Sequence, residues 1–266
     1  MKVYTEFLKN AFQSNLAYKM NVFLSLISSI VVLLVQIYFW RALFQDIGQT
    51  QTNMGVISFR DMVTYTLVST GISIAISTTT VFKVNDRIRT GEIAMDLIKP
   101  VSLKGMLFCD ALGNNGFRMV FQLTPFLIVG ILMFGIRLPS EPYLILFVIS
   151  SINGMMIYFS ISYLIGLIGF WFLAVTSLSM LFNVLINVFS GEMVPLWFFP
   201  DFLYELSAFL PFRLIYFAPL AIFLEKTVLA DAIGFILQQF LWIGILAGIE
   251  RILWMRAVRK LVIQGG

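Results

Sequence analysis

Histidine is absent from all 266 residues, which removes HExxH metalloprotease chemistry and every histidine-based proton relay. A single cysteine, Cys109, permits no internal disulfide, so cysteine usage is silent on redox compartment. No GxxxxGK[ST] loop occurs, which excludes ATP hydrolysis by that route. Charge is scarce. Asp, Glu, Lys and Arg make up 12% of the chain, and the fifty positions 142–191 carry none. As one helix that run would measure about 75 Å, over twice the ~30 Å of a bilayer's hydrocarbon. It reads as two spans with a tight turn, expected near residues 166–170, where glycines and Trp171 cluster.

What is abundant is apolar. Hydrophobic residues make up 59% of the chain, with 27 Phe and a mean hydropathy of +0.92. Soluble domains hold about 45–50%. The expected fold class is therefore an all-α integral membrane protein with six transmembrane helices in one domain, residues 1–266, leaving no room for a soluble domain. Spans are expected at 21–39, 62–82, 119–136 (kinked at Pro125), two within 142–191, and 233–249. The first apolar run ends in Phe39-Trp40-Arg41 and is too long for a cleavable signal. Residues 1–19 place Val3, Tyr4, Phe7, Leu8, Ala11 and Phe12 on one helical face, predicting an amphipathic helix in the membrane interface. Gly244 and Gly248 form a close-packing motif of low specificity.

With six spans, 13 of the 18 Lys and Arg fall on the side of the termini and 5 on the other. Cation excess marks the cytoplasmic side, so both termini are expected there. The net charge of +4 is a topology and lipid-contact signal with no nucleic-acid signature.

Two segments break the pattern of spans. Residues 83–100, KVNDRIRTGEIAMDLIKP, form a charged island that must lie in water. Apolar Val84, Ile88, Ile93, Leu97 and Ile98 interleave with its charges, and Gly91 can divide it into two short helices. A solvated loop has no use for that interleaving; an amphipathic hairpin docking on a cytoplasmic partner has. Residues 190–219 carry four of the eight prolines plus Glu192, Asp201, Glu205 and Arg213. They are too broken to cross as one helix and are expected to cap the outer face as a re-entrant helical hairpin.

Polar stripes recur at helical spacing. Thr66, Thr70, Ser73, Ser77 and Thr80 mark the second span; Ser179, Asn183, Asn187 and Ser190 mark the fifth. Asp110, Asn114, Arg118 and Gln122 lead into the third. Such stripes either join helices by hydrogen bonds or line a substrate route. Glu192 is either a cation-attracting group near the exit or a helix N-terminal acid.

The run Arg87-Ile88-Arg89-Thr90-Gly91-Glu92-Ile93 through Leu97-Ile98-Lys99-Pro100, with Gly191-Glu192-Met193-Val194-Pro195-Leu196 and Phe199-Pro200, resembles the permease subunits of bacterial ABC type-2 exporters. The resemblance covers nearly the whole chain. It implies that residues 83–104 make a coupling helix seated in a cleft of an ATPase subunit, through Asp86, Arg87, Ile88, Arg89, Gly91, Glu92, Leu97 and Pro100. It also implies two such ATPases, which bind ATP and Mg, and a second permease, identical or homologous. This chain itself would carry no cofactor and would sit in a bacterial cytoplasmic membrane. Thr66, Thr70, Ser73, Ser77, Asn183, Asn187 and Glu192 are the candidate pathway residues. The implied cargo is amphipathic: a drug, organic cation, peptide or lipid. A glycan exporter is the alternative within the family, and a non-transporting scaffold the alternative outside it. A passive pore would need a charged or carbonyl-lined filter, which the sequence lacks.

Overall fold

The computed structural model describes residues 2–52, 54–172 and 175–264. Helix α1 (Lys2–Asn15) turns into α2 (Lys19–Ile47), which is longer at both ends than the 21–39 expected. The polar segment that follows is an antiparallel hairpin of β1 (Gln49–Thr52) and β2 (Gly55–Ser58). Its last residue starts α3 (Phe59–Ile76): Ser58 Oγ accepts the Asp61 N–H while the Asp61 carboxylate accepts the Ser58 N–H at 2.9 Å, a reciprocal cap.

The second span is not one uninterrupted helix. It breaks at residues 77–79 before α4 (Thr80–Arg89), where Ser77 is extended (ψ 137°) and the Thr78 and Thr80 hydroxyls lie 2.7 Å apart. After α5 (Glu92–Ile98), the third span runs through α6 (Leu103–Arg118), a widened turn at Met119–Leu123, and α7 (Thr124–Phe134). The widening lies just upstream of Pro125, where a kink was expected. Proline's missing N–H and its ring disturb the preceding turn, and Thr124 bonds five residues back, its N–H and hydroxyl both reaching Met119 O.

Helix α8 (Glu141–Ile168) fills the centre, and its turn into α9 (Val175–Phe189) falls where the sequence put it. The chain then forms α10 (Asp201–Ala208), α11 (Phe217–Phe223) and the long α12 (Leu229–Gln264). Five stretches (α2, α3–α4, α6–α7, α8 and α12) are long and apolar enough to cross a membrane. The stretch from α10 to α11 would make a sixth if counted as one span, although it bends by 80°, and the fifteen-residue α9 is shorter than a full span. The chain is thus a multi-pass, all-α membrane protein.

The segment from Ser190 to α11, expected to cap the outer face, leaves Phe202, Leu206 and Phe209 exposed on and just after α10 and is buried in its second half. Leu214, Ile215, Phe217, Ala218, Leu220, Ala221 and Ile222 are fully buried at the heart of the largest apolar cluster. The segment also closes on itself, because the Phe217 N–H donates to Ser190 O at 2.8 Å. Gly154 of α8 lets it approach so closely that a Cβ there would lie 2.8 Å from Ile215 O. The segment exits at the hairpin end, where Glu225 accepts the Ser140 N–H at 2.6 Å and Lys226 pairs with Asp61 at 3.0 Å.

Helix α1 packs on α6: Tyr4 Oη accepts the Ser102 N–H at 3.1 Å, Phe12 meets Phe117 edge-on, and Asn15 donates to Asn114 at 2.6 Å, while Val3 and Leu8 stay exposed. Gly244 and Gly248 meet nothing within 4 Å, so they are not a packing seam among the described residues.

Candidate functional site

The charged island folds as two helices around Gly91, whose φ of 76° is left-handed and suits a residue without Cβ. Asp96 locks the pair: buried itself, it accepts from Arg87 of α4 at 2.5 Å and from Lys99 at 2.7 Å. Burial alone would raise the Asp96 carboxyl, but those hydrogen bonds and charges outweigh it and hold it below the ordinary aspartate value. Ile93 is fully buried with Val84, Leu103, Met106, Leu107, Phe159, Tyr163 and Leu167, fixing α5 to α4, α6 and α8. With Ile93 and Asp96 turned inward, α5 presents Met95 (64% exposed), Leu97 (41%) and Ile98 (81%) to the surroundings.

Of the eight residues expected here, Asp86, Arg89, Gly91, Glu92, Leu97 and Pro100 are exposed. Arg87 is turned inward onto Asp96. Ile88 is half-buried against the Ile93 cluster, so it serves the fold more than an outside surface. Met95 was missed, and Ile98 was read only as part of the pattern. Their exposure follows from Asp96 holding the inner position, which spacing alone does not reveal.

The polar stripes meet in two adjoining clefts of about 330 Å³ each. One is lined by Ser73, Ser77, Tyr158, Asn183, Asn187, Glu192 and Tyr216. The other shares Ser73, Asn187 and Glu192 and opens toward Ser28, Ser29, Gln36 and Thr70. Six of the seven candidate pathway residues therefore gather between α2, α3 and α9. The seventh, Thr66, is buried elsewhere on α3, its carbonyl accepting from Thr70 Oγ1 at 2.9 Å.

Glu192 anchors this site, at a depth the sequence did not anticipate. Ser69 Oγ donates to Glu192 O at 2.7 Å, and Tyr65 Oη donates to Gly191 O. Ser69 lies ten residues into α3, about 15 Å from its start. Glu192 therefore sits beside the middle of the span, away from the mouth at which it was expected. Its carboxyl shares the cleft wall with the Ser73 and Tyr216 hydroxyls. One carboxyl among hydroxyls and amides can hold a cation or hydrogen-bond donors. It offers no nucleophile–base pair.

Elsewhere polar side chains join helices. Gln122 donates to Ser29 at 3.2 Å, Lys83 pairs with Asp110, and Lys104 with Glu250. The polar centre that sequence reasoning overlooked is Gln239. Fully buried, it donates to Ser150 O and Leu214 O, each at 2.9 Å, and accepts from Asn153 at 3.4 Å. The pair Gln238-Gln239 inside an apolar span was the available signal.

A family model described as "ABC-2 family transporter protein" matches residues 30–265. The chain belongs to that family. It is a permease component of an ABC transporter, and permeases of this family are typically non-catalytic and work with an ABC ATPase. No curated protein matches the chain.

Proposed function

We propose that this chain is half of the translocation pathway of an ATP-driven exporter for an amphipathic, preferentially cationic molecule. The second half is another permease, identical or homologous. Two cytoplasmic ATPases, which bind the ATP and Mg, seat against residues 83–104. Both termini and α5 then face the cytoplasm, consistent with the cation excess on that side, and the β1–β2 hairpin faces outward. The observation that carries the reading is the α5 edge: Met95, Leu97 and Ile98 stand exposed on a helix pinned from behind by Ile93 and the Arg87–Asp96–Lys99 cluster. A rigid mount under an exposed apolar edge is suited to receiving force. The Glu192 clefts support an amphipathic cation as cargo, since a half-buried carboxyl among hydroxyls and amides attracts positive charge.

The test is reconstitution. The permease with its ATPase in inside-out vesicles should accumulate a fluorescent lipophilic cation only with hydrolysable ATP. Accumulation equal with and without ATP would sink the exporter reading.

A further inference from the structure

A large apolar cavity among the described residues is separate from the Glu192 clefts. It measures about 580 Å³ and lies between α3, α6–α7 and α8, with walls from residues such as Ile72, Ala75, Leu127, Ile131 and Val148. From Leu144 to Met155 along α8 it extends about 16 Å. Its walls are apolar except at the deep end, where Asn115 and Ser151 face it. Asn115 is 3% exposed and its Oδ1 has no hydrogen-bond partner; neither does the buried Ser151 Oγ. The amide's other end touches only Met155 Sδ, at 3.9 Å. Whichever way the amide is turned, a buried polar atom is left without a good partner.

We propose that this cavity binds an elongated neutral molecule with one hydroxyl-type head group, such as a long-chain alcohol or alkylphenol. The head bonds Asn115 and Ser151 and the tail runs toward Leu138. A water bridging Asn115 and Ser151 would meet the minimum of about two polar partners but would leave the apolar length of the cavity unfilled. A bilayer acyl chain fits the walls but brings no hydrogen-bonding group to the deep end. Its volume falls within the roughly 300–1,000 Å³ usual for small-molecule sites.

The experiment uses the full chain in phosphatidylcholine nanodiscs and a diazirine-bearing octanol as photoprobe. Adducts mapped by mass spectrometry should concentrate on the cavity walls. At matched bilayer mole fraction, 1-dodecanol should displace the probe at roughly fivefold lower concentration than dodecane, the difference one neutral hydrogen bond makes. N115L and S151A should each shrink that gap while leaving apolar displacement by dodecane unchanged. If N115L does not insert, S151A, which removes one oxygen, carries the comparison. Adducts spread evenly over the exposed faces of α2 and α12 would overturn the proposal. So would equal displacement by dodecanol and dodecane, or a gap unchanged in the variants. Export is not read in this assay, so its outcome is independent of the transporter reading.

Discussion

Ile98→Asp and Ile93→Ala, made separately, distinguish the docking edge of α5 from the packing that mounts it. The two side chains belong to one seven-residue helix, yet Ile98 is 81% exposed and Ile93 is 0%. Fully burying an isoleucine contributes roughly 1.5–3 kcal/mol. Most of the Ile98 surface is still open, so seating it in an ATPase cleft contributes about 2 kcal/mol, or about thirtyfold in affinity. Aspartate removes that contribution and also places an unpaired charge in the cleft. Ile93→Ala acts on the permease alone, where emptying a filled core position costs roughly 2–5 kcal/mol. The assay is a titration of the purified ATPase onto the permease in nanodiscs, with the permease Tm measured in parallel. Ile98→Asp should weaken binding at least about thirtyfold at unchanged Tm; Ile93→Ala should lower Tm. Thr50→Asp in β1 should change neither. Binding by Ile98→Asp within about threefold of the original would refute the assignment of α5 as the docking element.

Asp96 sets an acid limit on the same hairpin. Its folded value lies below the ordinary 3.8, so its stabilisation is complete above 3.8 and lost as pH falls through the lower folded value. Amide protection over residues 86–99 should therefore hold at neutral and mildly acidic pH and fall below about pH 4, and Asp96→Asn should show lower protection at pH 7 with little further acid loss. Glu192→Gln should raise the apparent KM for a cationic cargo several-fold while basal ATPase activity persists; an unchanged KM for every cation tried would leave Glu192 a structural acid. In a Cys109→Ser background, cysteines at Gln51 and Ala94, both exposed, should label from opposite sides with an impermeant thiol reagent in intact cells, Gln51 from outside. Gly154→Ala should destabilise by about 1–3 kcal/mol, because the new methyl meets the Ile215 backbone, which cannot rotate away; a Tm equal to that of the unsubstituted chain would mean α11 is held more loosely than its burial indicates.

Apolar run length carried the fold well. The turn between α8 and α9 follows from arithmetic on fifty uncharged positions, since no single crossing can absorb them. The hairpin before α3 escaped notice because β1 is Gln-Thr-Gln-Thr, with no apolar alternation to betray a strand. At the candidate site the residue types were legible and their directions were not. Ile93 and Leu97 are four apart and should share a helical face, yet one is buried and the other exposed. Arg87 draws Asp96 inward, and in a helix of seven residues a single long-range ion pair outweighs the apolar period. The depth of Glu192 was hidden for a related reason. It depends on the Ser190–Phe217 closure and on the Tyr65 and Ser69 contacts, all between positions far apart in sequence.

The break at residues 77–79 connects the two halves of the site. Below it, α4, α5, α6 and α8 share one packed cluster, and Val84 presses so closely on Gly166 that a Cβ there would lie 2.7 Å from the Val84 Cβ. A close-packed block transmits displacement with little deformation, so in the proposed transporter a push on the α5 edge would reach α4 with little loss. Above the break, α3 is tied through Tyr65 and Ser69 to Gly191 and Glu192, and so belongs with the segment from Ser190 to α11. Between them the backbone leaves helical geometry at Ser77, which also lines the Glu192 cleft. Rotation concentrates where helical hydrogen bonds are already missing. In the proposed transporter, force arriving at α5 is therefore released beside Glu192, at the point where a change in the walls alters the hold on a cation.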